Sequence, residues 1–322
     1  MYSAVLIVRD EQDRLPGALR SLAGAPELIV ADTGSSDETP SLAADAGAHV
    51  PEIGWRDDFA WAREAAVRHA TMNWVVKLDA DERLVARRGR PDAVLRQVLS
   101  EADRSSSDLV VVRRHFLPGF THWYPLAYRN GHYRWTSALH EHLASIDGER
   151  SPMASDQLRI VHRRNPRPRA YSQLAARQHR VNPDDAWIAF HLGRELGLVG
   201  RLDAAVAPLA RALASDRLGA LESSEAAILL ARSARMRGDL HGAIRSLTDS
   251  LNAFPRREAA LYAVCWLGQV GAKKGALHWL DRAAAIALPR RQTRFGRFAV
   301  PYLIDRRFYD PGVLRSLWRG LR

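Results

Sequence analysis

Cysteine is almost absent: Cys265 stands alone among 322 residues, so no internal disulfide forms and nothing calls for an oxidising compartment. Lysine is nearly as scarce. Lys77, Lys273 and Lys274 are the whole complement, and arginine supplies the rest of the 47 basic residues. Long apolar runs are missing too. No stretch approaches the roughly 18 residues that cross a bilayer, and Val5-Leu6-Ile7-Val8 passes at once into Arg9-Asp10-Glu11, too short for a secretion signal. A cytoplasmic protein is expected. Neither a P-loop nor a GxGxxG turn occurs near the N-terminal strands, which weighs against ATPase and nicotinamide-dependent chemistry.

What is present describes a folded chain. Hydrophobic residues make up 47% and charged residues 26%, which excludes disordered or collagen-like classes, and the length suits two domains. The formal net charge of +11 raises the question of a polyanionic partner. Much of it is local: between Pro289 and Arg322 nine arginines face only Asp305 and Asp310, a net +7. That tail reads as a solvated basic segment or, because Leu314, Leu317, Trp318 and Leu321 recur at helical spacing, as an anchor for anionic lipid or substrate. No nucleic-acid partner is expected.

The first 115 residues alternate short apolar runs with helical patterns, the signature of βαβ units. Strands are expected at Val5–Val8, Leu28–Ala31, His49-Val50, Trp74–Leu78 and Leu109–Val112, and helices at Thr39–Ala46 and Phe59–Ala70. Continuous apolar strands imply a mostly parallel sheet covered on both faces. Residues 151–185, rich in proline and arginine, are expected to link the two parts or to pack between them. From about residue 186 alanine-rich helices take over. Gly200, Gly238 and Gly271 recur at steps of about 38 and 33 residues, near the ~34 of a tetratricopeptide repeat, each permitting a turn between paired helices.

In open α/β sheets ligands bind at the carboxyl ends of strands, and two acidic clusters fall there. One is Asp32-Thr33-Gly34-Ser35-Ser36-Asp37. The other, Asp79-Ala80-Asp81-Glu82, crowds three carboxylates into four positions, a repulsion that a divalent cation would relieve. Magnesium or manganese suits such a site, taking one or two carboxylates and completing its shell with water and phosphate. Seven aromatic residues, Phe116, Phe120, Trp123, Tyr124, Tyr128, Tyr133 and Trp135, lie within 20 positions. Their rings suit the CH face of a sugar or packing on the sheet.

These motifs, taken in order, resemble the family 2 glycosyltransferases of GT-A fold. The matching pieces are Leu6-Ile7-Val8-Arg9-Asp10-Glu11, Ile29–Thr39, Trp55 with Asp58-Phe59-Ala60 and Ala62-Arg63, Trp74–Glu82 and Leu139-His140-Glu141. With Ile160-Val161-His162 and the repeats from Trp187, the chain is similar to the branch fused to tetratricopeptide repeats, including peptide S-glycosyltransferases and lipopolysaccharide-core transferases. The resemblance implies an α/β, Rossmann-like GT-A nucleotide-sugar-binding domain over residues 1–165. An all-α tetratricopeptide-like domain over 166–288 and the basic tail 289–322 follow.

It also implies roles. Asp32 would contact the base or ribose of a nucleotide-sugar, with Asp10 in the same donor pocket. Asp79 would lie near ribose and metal, and Asp81 on the Mn or Mg ion that bridges the diphosphate. Arg63 would assist the donor phosphate, Glu141 would act as general base in an inverting transfer, and His162 would be a further metal ligand. The acceptor is a peptide, a glycan or a small molecule, and the repeats would hold the acceptor or a protein partner. Two sequence departures, Arg9-Asp10-Glu11-Gln12 for the more usual Lys-Asn-Glu-Glu and Glu64 where asparagine is common, point to an altered donor pocket. A non-catalytic repeat scaffold and a lipid-linked or envelope-glycan transferase, the latter peripheral at the inner membrane face through the tail, stand as alternatives.

Overall fold

The computed structural model describes residues 1–116, 120–148, 152–163, 171–215 and 217–286, with the short pieces 316–317 and 319–320. Most of the basic tail, and the side chains of Phe116 and Phe120, lie outside the described residues. The chain divides into two compact units, one over Met1–Pro168 and one over Arg169–Arg290. Among the described residues no helix is long and apolar enough to cross a membrane.

The first unit runs β1 (Tyr2–Val8), α1 (Leu15–Ser21), β2 (Glu27–Asp32), α2 (Thr39–Asp45), α3 (Phe59–Val67), β3 (Trp74–Lys77), β4 (Glu82–Ala86) and α4 (Pro91–Arg104). It continues through β5 (Leu109–Phe116), β6 (Phe120–Arg129), β7 (Tyr133–Thr136), β8 (His142–Ser145) and β9 (Met153–His162). Seven strands form one sheet in the order β2-β1-β3-β6-β5-β9-β4, and β7 pairs with β8 in a separate ribbon.

The β1 strand shows why the sheet is buried on both sides. Ala4, Leu6 and Val8 join one apolar cluster with Leu15, Leu95 and Val98 of the helices. Val5 points the other way, into a cluster with Ala60 and Ala66 of α3 and Tyr133 and Trp135 of β7. Fully buried side chains such as Leu6 and Leu95 contribute about 1.5–3 kcal/mol each by leaving water.

The expected mostly parallel sheet is corrected to a mixed one. Only β2-β1-β3 forms a parallel block; β6 enters antiparallel to β3 and β5, and β9 lies parallel to β5 but antiparallel to β4. Pro125, which has no N–H for the ladder, coincides with a register shift at Val110/Val111. The segment expected to link the two parts supplies a sheet strand, β9, with Leu158 and Ile160 buried. His49 and Glu52 form only isolated bridges to β2 rather than a strand.

The second unit contains α5 (Tyr171–Val181) and three helix pairs: α6 (Ala186–Leu198) with α7 (Leu202–Leu213), α8 (Ala220–Met236) with α9 (Leu240–Ala253), and α10 (Arg257–Gln269) with α11 (Lys273–Ala285). Each pair turns at a glycine of left-handed φ: Gly200 (82°), Gly238 (83°) and Gly271 (75°). The three turns share one bond pattern. Arg201, Asp239 and Ala272 donate back to the carbonyls of Leu196, Ala234 and Leu267, and the glycines donate to Gly197, Arg235 and Gly268. This double closure satisfies the last helical carbonyls and needs a residue without Cβ strain.

Candidate active site

Carboxylates cluster where parallel strands β2, β1 and β3 end. Asp10 and Asp32 both bind the turn at Ser35-Ser36. Asp10, at φ 51°, accepts from the Ser36 amide at 2.8 Å and receives the Ser35 hydroxyl as acceptor for its own N–H at 3.0 Å. Asp32 accepts from the amides of Gly34 and Ser35 at 3.1 and 3.0 Å and from the Ser35 hydroxyl at 2.5 Å. The two aspartates therefore build a crosslinked loop pair.

After β3 the chain makes a tight acidic turn. The Glu82 amide donates to the Asp79 carbonyl, and the Asp79 amide donates to Glu82 Oε2, both at 2.9 Å. Three buried cations surround it. Lys77 Nζ donates to Asp79 Oδ2 at 2.7 Å and lies 3.6 Å from Glu82 Oε2. Arg114 Nη2 from β5 stands 2.5 Å from Glu82 Oε1 and 3.7 Å from Asp79 Oδ2. Arg63 Nη2 from α3 donates to Asp79 Oδ1 at 2.8 Å, while its Nε donates to Glu141 Oε1 at 2.8 Å.

The charges set the electrostatics. Burial alone would raise the Asp79 pKa, but Lys77, Arg63 and Arg114 outweigh it and hold the carboxyl well below its ordinary value. Burial opposes ionisation of Glu82 as well, and Arg114 with Lys77 brings it down to about 2. Asp81 is shifted upward by burial and by the Asp79 and Glu82 charges, against the pull of His162 and Arg114. The acidic turn thus carries its own neutralisation.

Glu141 sits on a loop with left-handed φ at Ser137 (70°) and His140 (56°). Burial of Leu139 and a bond from the Phe59 amide to the Ala138 carbonyl at 2.9 Å anchor it. Glu64 accepts from the Trp135 amide at 2.6 Å and so holds β7 against α3.

The structure joins Asp79, Arg63 and Glu141 in one network and brings His162 Nδ1 to 3.5 Å from Asp81 Oδ1. His162 Nδ1 also receives Arg114 Nη2 at 3.1 Å. Among the described residues no group of three or more His, Cys, Asp or Glu is placed to hold a metal ion. Asp81 and His162 offer a carboxylate oxygen and an imidazole nitrogen, donor types that a divalent cation accepts, with Arg114 Nη2 standing 3.1 Å from that nitrogen in this structure. Both oxygens of Asp79 are engaged by Arg63 and Lys77.

The aromatic concentration is divided between packing and cation contacts. Tyr128, Tyr133 and Trp135 are buried, and Trp135 lies 4.9 Å below the Arg63 guanidinium. Tyr124 faces both Lys77 and Arg114, at 4.8 and 4.4 Å. Sequence reasoning passed over Lys77 and Arg114. Lys77 left a signal: it is the one lysine before Lys273 and interrupts an apolar strand.

Residues 3–165 match the family model described as Glycosyl transferase family 2. A lipopolysaccharide core biosynthesis glycosyltransferase, LpsC of Rhizobium meliloti, is 32% identical over 126 residues, 37% of this chain and 44% of its own. A TPR repeat-containing protein of Synechococcus elongatus is 49% identical over 84 residues, 26% of this chain and 21% of its own. The chain spans less than half the length of either relative. Among solved structures, S. aureus TarS 1-349 aligns with 90% of this chain and 93% of its own, at a TM-score of 0.40 and 12% identity. MamA protein aligns with 35% of this chain and 61% of its own, at a TM-score of 0.32 and 16% identity.

Proposed function

The chain belongs to glycosyl transferase family 2 and is a glycosyltransferase, and on that premise we propose an inverting transfer from a nucleotide-sugar to a peptide, glycan or small-molecule acceptor. The observation that carries this reading is the Arg63 bridge, which fixes Glu141 to the acidic turn after β3 by two hydrogen bonds of 2.8 Å.

In this reading the Asp10–Ser36 and Asp32–Ser35 loops form the wall against base and ribose. Glu141 takes the proton of an acceptor hydroxyl or thiol through an oxygen other than the one held by Arg63. The acceptor atom bonds to the anomeric carbon as the bond to the diphosphate oxygen breaks on the opposite face. A divalent cation, when bound, supplies neutralisation of the departing diphosphate, and Asp81 with His162 would hold it. Asp79, expected beside them, stays with Arg63 and Lys77 and shapes the turn. Arg63, buried with its guanidinium over the Trp135 ring, serves this reading by holding Asp79 and Glu141 in place. The likeness to LpsC favours a glycan among the acceptors. The helical pairs are proposed to bind that acceptor or a protein partner.

Calorimetric titration with a panel of nucleotide-sugars, with and without Mn2+, tests the reading on wild type and Asp81→Asn. One donor that binds with metal, and loses that dependence in the variant, is the expected result. A folded protein that binds no donor would leave the repeats alone as the seat of function, as in a scaffold.

A further inference from the structure

The three glycine turns of the helical unit form one edge, tied together by side chains from neighbouring pairs. Arg237 Nη1 and Ser233 Oγ, at the end of α8, reach Asp203 Oδ1 at the start of α7, at 3.4 and 3.3 Å. Arg235 Nη2 reaches Gln269 Oε1 at the end of α10, at 3.2 Å. The tips of successive pairs are therefore side by side.

Each tip exposes an apolar side chain where a helix end should hide one. Val199 is 50% exposed, Met236 63% and Val270 54%, and Leu198 beside Val199 is 52% exposed. Every tip is flanked by cations: Arg201 at the first, Arg235 and Arg237 at the second, Lys273 and Lys274 at the third. The acidic residues there are Asp203 and Asp239, the first engaged by Arg237 and the second capping α9 through the Gly242 amide at 2.7 Å. Two of the chain's three lysines fall on this edge.

We propose that this turn edge, carrying Val199, Met236 and Val270 between basic residues, docks on an anionic lipid surface. A row of single apolar tips on protruding turns would need three matching pockets in a protein partner, whereas a fluid interface accepts each tip where it lands. Basic side chains beside each tip reach lipid phosphates while their stems and the tips enter the acyl boundary. The surplus of positive charge on the edge selects an anionic bilayer over a neutral one. The proposal concerns the helical unit and does not rest on the transferase reading.

Co-sedimentation of the full chain with phosphatidylcholine vesicles, with and without phosphatidylglycerol, tests it. Wild type is expected to pellet with phosphatidylglycerol vesicles and to release as salt rises. The triple variant V199S/M236S/V270S and the pair K273E/K274E are each expected to weaken partitioning by about tenfold or more. All five positions are exposed, and a melting curve matching wild type checks the fold of each variant. Edge variants that bind like wild type overturn the proposal, and deletion of residues 312–322 then asks whether the tail is the anchor. Equal binding to neutral vesicles, or no vesicle binding at all, overturns it too. So does edge-dependent binding of poly-glutamate without vesicle binding, which would assign the edge to an acidic protein.

Discussion

Arg63 and Glu141, 78 positions apart in the chain, meet through a hydrogen bond from Nε to Oε1 at 2.8 Å, and the same guanidinium donates to Asp79 at 2.8 Å. One side chain thus fixes the spacing between the acidic turn and the loop that carries Glu141. Its planar fork is what allows both contacts at once.

Replacing that fork should cost both stability and transfer. Arg63 is 7% exposed at its side chain, so Arg63→Ala leaves two carboxylates short of a buried cation, a loss of about 3–5 kcal/mol. Urea unfolding measures it. Arg63→Lys keeps the charge but reaches one carboxylate, and should fold with a smaller loss and a transfer rate well below wild type. An Arg63→Ala protein as stable as wild type would show that the bridge is dispensable.

Acid should unfold the first unit through Glu82 in particular. Its folded pKa is depressed to about 2 from an ordinary 4.5, so the unfolded chain binds the proton first. The stabilisation is complete above about pH 4.5 and drains away as pH falls towards 2. Denaturation midpoints measured across that window should fall steeply in wild type. In Glu82→Gln they should start lower and fall less.

Glu225 in the helical unit should act with the opposite sign. Burial lifts its carboxyl to about 7, although Arg194 and Arg256 pull the other way. The folded state therefore holds the proton more tightly than the unfolded state, and stability declines as pH rises from about 4.5 to 7. Glu225→Gln can still accept from Arg194, which donates at 3.0 Å in the native site. It should raise the melting temperature above pH 7, by roughly 2–4 °C for each kcal/mol recovered, and flatten the pH dependence below it.

Two glycines of the repeats should fail for different reasons. At Gly200 no atom stands within 4 Å of a built Cβ, but φ is 82°, so Gly200→Ala should cost about 1–2 kcal/mol from backbone conformation alone. At Gly193 the backbone is helical and a Cβ would meet Leu209 Cγ at 2.4 Å. Gly193→Ala should cost about 1–3 kcal/mol from overpacking, and the added Leu209→Ala should recover part of it. Melting curves of the two single variants and the double separate these causes.

The parallel block, the acidic turns and the glycine turns were legible in the sequence because each rests on a local rule: apolar runs between helices, carboxylates at strand ends, glycine after a helix. The strands β4, β6 and β9 were not. Glu82 and Arg83 open β4 with charge that only tertiary partners explain, Pro125 interrupts β6, and β9 draws its burial from two neighbours far away in sequence. Lys77 and Arg114 were missed for the same reason. Their meaning lies in the carboxylates they face, and only Lys77 advertised itself by rarity.

The position of β9 bears on how the molecule is made. It is the last strand of its sheet in sequence, yet it sits between β5 and β4, with His162 opposite Glu82. A nascent chain still on the ribosome with 150 residues emerged possesses Glu82, Arg114 and Asp79 but lacks the strand that joins their two edges. The contact of Arg114 with Glu82, which reaches from β5 to β4 across β9, therefore cannot be held in its native place until that strand pairs. Until then β4 and β5 present open edges, the stage at which such a chain is most exposed to mispairing and aggregation.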